Sequence, residues 1–553
     1  MRTKKDRLKK YLIILIALIT CSFKPNWRPT CSKEVRETNT IQAERQVRAD
    51  SPWRGEKRRS PFVGASCLER KGPQSGFKEQ SWQHEVLLQE PNILLQFFPD
   101  QNAYRLFRQI PSDLLGLSYA IYPISHGYDT ARFNDNKRFN IFPYAIFAPR
   151  TEHEIIYVLS KLKKHHLPFS IRSGGHCFEP GSLSSGYVID LRNFNTIRPD
   201  VQKKEVYIGA GCKLGSVITA LGKRNYAIPT GTCPSVGITG LALGGGLGPL
   251  SRLFGPTCDS IKSITLLTAE GKIIEVTKKH HSDLFWALRG AGNGSYGIVL
   301  GFTFKMYYIP AATTVTLTWN WDPATVQAVF QAWQAWVQTL KPTVTTQLNL
   351  IYNNKTLSIT VGILNAGKGS FSGWQTAFSS LQPQVQIIQG PYLKSAALFA
   401  ANPPNPFYKA KSEFIFQPLS QEPIQSAISF LEEFALNQED YVAVCQLYAM
   451  GGAIRKGNNA FFPKKAFGWW HQTVFWDRQS QQELALEKLR KFKREIAPFV
   501  SPYSYVNYVD YDIGKKYLRV YYGNEVHRLI RIKRKYDPHN LFHWKQSIPV
   551  HCK

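Results

Sequence analysis

The most constraining feature of this sequence is a series of three glycine-rich clusters between Arg172 and Gly297. They read Arg172-Ser-Gly-Gly-His176, Gly231-Thr-Cys-Pro-Ser-Val-Gly-Ile-Thr-Gly-Leu-Ala-Leu-Gly-Gly-Gly-Leu-Gly248 and Arg289-Gly-Ala-Gly-Asn-Gly-Ser-Tyr-Gly297. Glycine lets backbone N–H groups approach a phosphate because no Cβ stands in the way, and such loops hold anions. One cluster alone is compatible with a set of tight turns, but three in this order predict a large phosphorylated ligand.

The clusters do not match the familiar nucleotide and hydrolase signatures. The sequence contains no GxxxxGK[ST] loop, and no GxGxxG opens a compact strand–helix–strand unit with an acidic residue about 20 positions later. Ser295 stands in Asn-Gly-Ser-Tyr-Gly, which differs from the GxSxG nucleophile elbow. P-loop and serine-hydrolase functions are therefore excluded.

The chain of 553 residues is too long for one compact domain, because single cores rarely grow beyond about 250–300 residues. Strand and helix patterns alternate up to Pro310 and change there to longer β-prone runs, which predicts an α+β fold with a second domain. Predicted strands are Tyr144–Ala148, Phe169–Arg172, Glu205–Ile208, Ile264–Thr268, Ile298–Lys305, Thr314–Trp319, Gln347–Ile351 and Leu357–Ile363. Predicted helices are Thr151–His165, Thr325–Leu340 and Asn524–Lys535.

The N-terminus predicts export. Basic residues crowd the first ten positions and the apolar run Tyr11–Phe23 follows, so residues 1–23 are typical of a signal peptide or of an uncleaved membrane anchor. Residues 24–80 are predicted to be a basic, poorly ordered linker. We therefore expect a secreted, periplasmic or membrane-associated protein.

The distribution of charge and the spacing of the cysteines indicate which ligands and partners to expect. The net charge is +30, but beyond the N-terminal segment the basic residues are dispersed, without the aromatic-studded stripe of single-strand binders, so no nucleic acid is expected. The nine cysteines form no CxxC pair and no cluster at zinc spacing, so no metal site is predicted. An odd number of cysteines in an exported protein leaves one thiol unpaired or otherwise used.

Four segments carry a more specific signal. They are Ile171-Arg-Ser-Gly-Gly-His176, Cys233-Pro-Ser-Val-Gly237 leading into Gly244-Gly-Gly246, Asp283-Leu-Phe-Trp-Ala-Leu-Arg289 with its following glycines, and Tyr505-Val-Asn-Tyr-Val-Asp510. Together they resemble the berberine bridge enzyme-like FAD-linked oxidases, which have the vanillyl-alcohol-oxidase type of FAD-binding fold.

The resemblance implies a two-part architecture. An FAD-binding domain of two α+β subdomains, residues 81–310 with a core at 139–309, would be interrupted by a substrate domain at 311–502. That domain would place an antiparallel sheet, flanked by helices, over the flavin ring. The C-terminal segment, residues 503–553, would then return to the FAD domain.

The resemblance also assigns cofactor-binding residues. It implies two covalent links to FAD, from His176 to the 8α carbon and from Cys233 to C6 of the flavin. The other residues expected to bind FAD are Arg172, Ser173, Gly174, Gly175, Val236, Gly237, Gly240, Gly244, Gly245, Gly297, Ile298 and Asn507. One departure affects the first link: the sequence reads Cys177-Phe-Glu-Pro-Gly181 after the histidine, and Pro180 alters the family's usual Glu-Gly loop.

The implied catalytic residues lie in the C-terminal and middle segments. Tyr508 matches the position of a tyrosine that often acts as the base, and a nearby cation or hydrogen bond must then favour its anion. Tyr505 is expected to support the flavin ring or this base. Gln446 and Tyr448 share one face of a predicted strand and are candidates to contact substrate. Trp319, Trp321, Trp333 and Trp336 would either stack on a sugar or aromatic ring or lie in the core.

The resemblance thus implies an FAD-dependent oxidase that transfers a hydride from an alcohol, sugar or related C–H donor to FAD and then to O2, giving H2O2. Val236 matches a position where a small side chain leaves oxygen access, which favours the oxidase. The alternatives are a dehydrogenase that passes electrons to a quinone or other carrier, and a degenerate fold that binds anions through its basic surface. Substrate identity and oligomeric state stay open.

Overall fold

The structure is a computed structural model, and it describes residues 100–367, 372–400, 403–436 and 440–551. The predicted signal segment and basic linker lie outside these ranges. Within the described ranges, no helix is long and apolar enough to cross a membrane. The five cysteines described there, Cys177, Cys212, Cys233, Cys258 and Cys445, all carry free thiols.

A four-stranded sheet forms the first subdomain, with the strand order β1-β2-β4-β3. Its elements are α1 (Gln101–Phe107), β1 (Ala120–Ile121), α2 (Tyr128–Ala131), β2 (Ala145–Phe147), α3 (Glu152–Lys164), β3 (Phe169–Arg172) and β4 (Tyr187–Asp190). Strands β2, β3 and β4 are parallel, and α3 begins at a capping box formed by Thr151 and Glu154. The first glycine cluster therefore leaves the sheet at the carboxyl end of a parallel strand.

A five-stranded antiparallel sheet forms the second subdomain, with the order β5-β6-β10-β8-β9. Its strands are β5 (Ile197–Asp200), β6 (Glu205–Gly209), β8 (Ile261–Leu267), β9 (Ile273–Thr277) and β10 (Ile298–Lys305), and a separate ribbon pairs β7 (Tyr226–Ala227) with β11 (Tyr307–Tyr308). The helices are α4 (Leu214–Gly222), α5 (Ile238–Leu243), α6 (Ser251–Phe254) and α7 (Ser282–Leu288). The second glycine cluster surrounds α5, and the third joins α7 to β10.

A seven-stranded antiparallel sheet follows, with the order β15-β12-β14-β13-β17-β18-β16. Its strands are β12 (Ala312–Asn320), β13 (Val344–Asn353), β14 (Thr356–Asn365), β15 (Gln384–Gly390), β16 (Phe407–Ile415), β17 (Tyr441–Ala449) and β18 (Gly468–Trp476). The helices are α8 (Pro323–Val337), α9 (Gly373–Phe378), α10 (Tyr392–Leu398), α11 (Gln421–Leu436) and α12 (Gln482–Ile496). Helices α8, α11 and α12 pack on this sheet and share one hydrophobic core with it.

The two faces of the seven-stranded sheet differ in chemistry. Trp319, Trp333 and Trp336 are buried in the core shared with α8, so these three indoles are packing residues. Trp321 packs partly against the same core and donates a hydrogen bond from Nε1 to Glu432 at 3.1 Å. Gln446 alternates with the buried residues of β17 and therefore points to the opposite face.

The C-terminal segment returns to the glycine clusters, and its helices are α13 (Tyr517–Tyr522) and α14 (Val526–Tyr536). Lys533 of α14 is fully buried and donates to the carbonyl of Ser295 at 2.6 Å and to Asp537 Oδ2 at 2.6 Å. Lys411 of β16 donates to Asp510 Oδ2 at 2.8 Å. These contacts join the segment both to the third glycine cluster and to the seven-stranded sheet.

The predicted fold class is confirmed: helices and sheets are mixed, and the antiparallel sheet flanked by helices follows the two smaller subdomains. Strands β3 and β10 have the predicted bounds. Helix α8 begins earlier than predicted because Asp322 accepts a hydrogen bond from the Thr325 backbone and Pro323 occupies the first helical position.

Candidate active site

The first two glycine clusters meet at a point of direct backbone contact. A Cβ added to Gly174 would lie 2.2 Å from the backbone nitrogen of Gly237, and one added to Gly237 would lie 2.5 Å from the nitrogen of Gly174. No other residue type is compatible with this approach. Two glycine loops that are far apart in the sequence are therefore in direct contact.

The C-terminal segment contacts the second of these loops through Tyr505 and Asn507. The hydroxyl of Tyr505 accepts hydrogen bonds from the backbone N–H of Gly246 at 2.9 Å and of Leu247 at 3.2 Å. Asn507 donates to the Leu241 carbonyl at 3.0 Å and to the Tyr505 hydroxyl at 2.9 Å. Both predicted residues thus hold the second glycine cluster in place.

The third cluster reaches the same point through Asn293, which donates to Asn507 Oδ1 at 3.2 Å. A Cβ on Gly244 would lie 1.9 Å from that Asn507 oxygen. All three clusters and the C-terminal segment are therefore brought together, as the resemblance implied.

The residues present are compatible with a large polar cofactor. The side-chain oxygens of Asn134 and Asn293 are buried without a hydrogen-bond partner among the described residues, and each lies beside a glycine cluster. A Cβ on Gly240 would meet nothing within 4 Å, so open space lies beside this glycine. Gly175 and Gly245 have φ of +72° and +111°, a backbone conformation that glycine tolerates. Buried side-chain acceptors beside glycine loops suit the hydroxyls and phosphates of FAD, because the acceptors can bind hydroxyls and backbone N–H groups of such loops can approach a phosphate.

His176 lies at the end of the first cluster, with its Nε2 3.2 Å from Asp135 Oδ1. Burial lowers the pKa of His176 although Asp135 opposes the shift, so the imidazole is neutral at physiological pH. Pro180 opens a single helical turn beyond the histidine and leaves this contact in place. The Cys233 sulfur lies 3.2 Å from Ser235 Oγ at the start of the second cluster.

Three predicted cofactor residues, Arg172, Ser173 and Ile298, have side chains that serve the fold. Arg172 is buried, and its guanidinium donates to Asp190 at 2.8 Å and to the Ala131 carbonyl at 2.7 Å, so its part in cofactor binding stays a prediction. Ser173 donates to the Ala210 carbonyl at 2.6 Å. The Ile298 side chain is fully buried, and the space a Cβ on Gly297 would need is taken by the Leu267 carbonyl, so only their backbone atoms remain candidates for FAD contact.

Tyr508 stands in an aromatic box. Its ring stacks on Phe178 with centroids 4.6 Å apart and meets Trp469 edge-on at 4.8 Å. Burial raises the pKa of Tyr508 well above 10, and Tyr448 also raises it. The cation or hydrogen bond that would favour the phenolate stays a prediction, and so does the role of Tyr508 as base.

A row of polar side chains crosses the open face of the seven-stranded sheet in register. This polar row consists of Thr318, Thr360, Asn349, Gln446, His471 and Ser412. Asn349 donates to Thr360 Oγ1 at 2.9 Å, Gln446 donates to Asn349, and the Gln446 oxygen lies 2.8 Å from His471 Nε2. The row reaches the aromatic box because the rings of His471 and Tyr508 are 4.8 Å apart.

The sequence motifs did not indicate four further residues that the fold brings to the site. They are Asp135, Tyr408, Trp469 and His471. Burial lowers the pKa of His471 to about 3, so this side chain is neutral at physiological pH. His471 shares a row with Gln446, so alternation along Gly468–Trp476 could have placed it on the open face once β17 and β18 were paired. Asp135 and Tyr408 carry no such signal.

Comparison with known proteins identifies the family. A model described as "FAD binding domain" matches residues 143–277, and one described as "Berberine and berberine like" matches residues 504–549. The FAD-linked oxidoreductase YgaK of Bacillus subtilis, itself described as uncharacterized, is 31% identical over 433 residues, which are 76% of this chain and 94% of that protein. The chain belongs to the berberine bridge enzyme-like family.

Solved structures of berberine bridge enzyme-like proteins have the same fold. Physcomitrella patens BBE-like 1 is 27% identical, with a TM-score of 0.71 over 78% of this chain and 97% of that one. A chitooligosaccharide oxidase is 23% identical, with a TM-score of 0.68 over 81% of this chain and 99% of that one, which shows the fold alone. As a berberine bridge enzyme-like protein, the chain is an FAD-linked oxidoreductase.

Proposed function

We propose that this enzyme oxidises a sugar or a related polyhydroxylated alcohol and passes the electrons through FAD to O2, giving H2O2. The observation that carries the proposal is the polar row, which leads across the open sheet face to the ring of Tyr508. FAD, when bound, would supply a hydride acceptor for the carbon that bears the reacting hydroxyl. Tyr508 accepts the hydroxyl proton, and the polar row holds the rest of the substrate.

The chemistry of the open face favours a neutral, hydroxyl-rich substrate. In register with neighbouring positions of the polar row, strands β12 to β15 also present Thr316, Gln347, Ser358 and Gln386 on this face, and these four side chains carry no charge. Hydroxyl and amide groups both donate and accept, which matches the alternating needs of sugar hydroxyls. A charged substrate would leave its own charge unpaired beside this surface.

Tyr448 adds an aromatic wall at the inner end of the polar row. Its ring stacks on Trp469 with centroids 5.0 Å apart, and its hydroxyl bonds to Thr232 of the second glycine cluster. Aromatic faces pack against the C–H faces of sugar rings while their polar ends remain hydrogen-bonded. The wall and the row together support a bound sugar whose reacting carbon lies near Tyr508.

The acceptor in this proposal is molecular oxygen. Val236 is only partly buried and follows Cys233 in the second cluster. The resemblance implies that a small side chain at this position would leave O2 access to the flavin. We expect the purified enzyme to be yellow, to turn colourless when a sugar substrate is added anaerobically, and to recover its colour rapidly in stopped-flow mixing with O2. Reoxidation by a quinone but not by O2 would replace the oxidase with a dehydrogenase, and a colourless protein would contradict both.

The polar row gives a test of the substrate class. Gln446→Leu removes the amide that joins Asn349 to His471, and each lost hydrogen bond costs about 0.5–1.5 kcal/mol, so kcat/KM for sugar substrates should fall roughly tenfold. Gln389 lies on β15 and, by strand alternation, belongs to the helix-covered face of the same sheet. Gln389→Leu is therefore the matched control and should keep wild-type kinetics. If both variants oxidise sugars like the wild type, the polar row does not bind the substrate.

A further inference from the structure

The segment from Asn134 to Arg138 lies along the loop that follows β3, and no glycine motif includes it. Asn134 donates to Ser182 Oγ at 2.9 Å, Asn136 donates to the Phe178 carbonyl at 3.1 Å, and Arg138 donates to Glu179 Oε2 at 2.8 Å. Each contact fixes a different point of the loop that carries His176. Asp135, at the centre of this segment, contacts the histidine itself.

Three polar atoms of Asp135, its backbone nitrogen and both carboxylate oxygens, contact neighbouring residues. Its backbone N–H donates to the Gly175 carbonyl at 2.9 Å, its Oδ1 lies 3.2 Å from His176 Nε2, and its Oδ2 accepts from the Tyr408 hydroxyl at 3.0 Å. Tyr408 belongs to β16, and both its backbone N–H and its carbonyl are hydrogen-bonded to Asn136. The carboxylate is therefore fixed from both sides and is aimed at one nitrogen of the imidazole.

This contact decides which nitrogen of His176 carries the proton. An ionised carboxylate can only accept hydrogen bonds, so Nε2 must be the donor. In a neutral imidazole the other nitrogen then has the free lone pair. His176 consequently presents Nδ1 as a nucleophile, and its proton is held on the side away from the reaction.

We propose that Asp135 is the positioning residue that makes Nδ1 of His176 the nucleophile in covalent attachment of the flavin. The inference rests on the histidyl link to FAD that the resemblance to berberine bridge enzyme-like oxidases implies. In the attachment step, a C–H bond of the methyl group at ring position 8 breaks and a C–N bond to Nδ1 forms. One hydrogen leaves the methyl carbon and one leaves the imidazole, and the two electrons pass through the ring to O2, which becomes H2O2.

The experiment isolates the histidyl link by using Cys233→Ala as the background. Protein produced under riboflavin limitation is mixed with FAD, and acid-stable flavin is followed by fluorescence of the denatured band in a gel. Total bound flavin is measured separately by absorbance. Adding Asp135→Asn should slow the appearance of acid-stable flavin at least about 10²-fold, while total bound flavin and the thermal midpoint stay at the background values.

Two further variants separate positioning from packing. Asp135→Glu keeps the carboxylate and should recover much of the attachment rate, whereas the exposed Asp129→Asn, on α2, is the matched control and should leave it unchanged. Attachment at the control rate in Asp135→Asn, or equal slowing in Asp135→Glu and Asp135→Asn, would overturn the proposal. If Cys233→Ala alone already lacks acid-stable flavin, the histidyl link itself fails, and the role of Asp135 fails with it.

Discussion

Replacing Tyr508 with phenylalanine is expected to lower kcat/KM by about 10²–10⁴-fold, the range for a lost general base. The change removes only the hydroxyl. The contacts of its ring with Phe178 at 4.6 Å and with Trp469 at 4.8 Å remain available to phenylalanine. Bound FAD and thermal stability should therefore stay at wild-type values, and steady-state O2 consumption measures the loss.

The pH dependence of kcat/KM is a second test of Tyr508 as the base. Burial raises the pKa of Tyr508, and Tyr448, Tyr505 and Cys233 raise it further. Because the base is active only when deprotonated, kcat/KM of the wild type should rise about tenfold per pH unit through the neutral and alkaline range. The Tyr508→Phe variant should lack this rise.

A tyrosine far from the site serves as the control. Tyr308 is exposed on the short ribbon, so Tyr308→Phe should retain both the wild-type rate and its pH dependence. A plateau already present at neutral pH in the wild type, or an unaltered rate in Tyr508→Phe, would assign Tyr508 to packing.

Removing both proposed links to FAD should convert all of the flavin from acid-stable to extractable. His176 and Cys233 come from two loops whose backbones touch at Gly174 and Gly237, so we expect both side chains to reach the same FAD. His176→Ala and Cys233→Ala should each leave one link, and the colour should stay with the acid-precipitated polypeptide. The double variant should release its FAD into the supernatant, where absorbance measures it.

Cys445→Ala is the matched control for the loss of a thiol. Cys445 is buried in the core between the seven-stranded sheet and its helices, on the face of β17 opposite to Gln446. This variant should keep all of its flavin after acid precipitation. The two-link proposal is wrong if either single variant at His176 or Cys233 releases all of its flavin.

The sequence predicted the parts of the site that depend on backbone conformation. Gly174, Gly237 and Gly244 lie where any Cβ would collide with a neighbouring chain, and this requirement is local enough to appear as a motif. Tyr505 and Asn507 were named from the resemblance of their segment to the family, and in the structure both contact backbone groups of those loops. The family comparison confirmed the fold and the FAD chemistry that these segments indicated.

The contributions of Asp135, Tyr408 and His471 could not be read from the sequence. Each acts through a side chain whose partner lies on a different element, and only the pairing of strands and the path of loops brings them together. Arg172 was named as a cofactor-binding residue from its motif position, and in the structure its guanidinium donates to Asp190 and to backbone carbonyls. Motif position alone does not reveal such an ion pair.

The hydrogen bonds from Gly246 and Leu247 to the Tyr505 hydroxyl have a consequence for biosynthesis. Gly246 and Tyr505 are 259 residues apart, so a ribosome must add almost half of the chain between making the glycine loop and making the side chain that closes it. A nascent chain stalled before Tyr505 would have its glycine loops but not the hydroxyl that orders them. We therefore expect the chain to bind its cofactor only after synthesis has passed Tyr505.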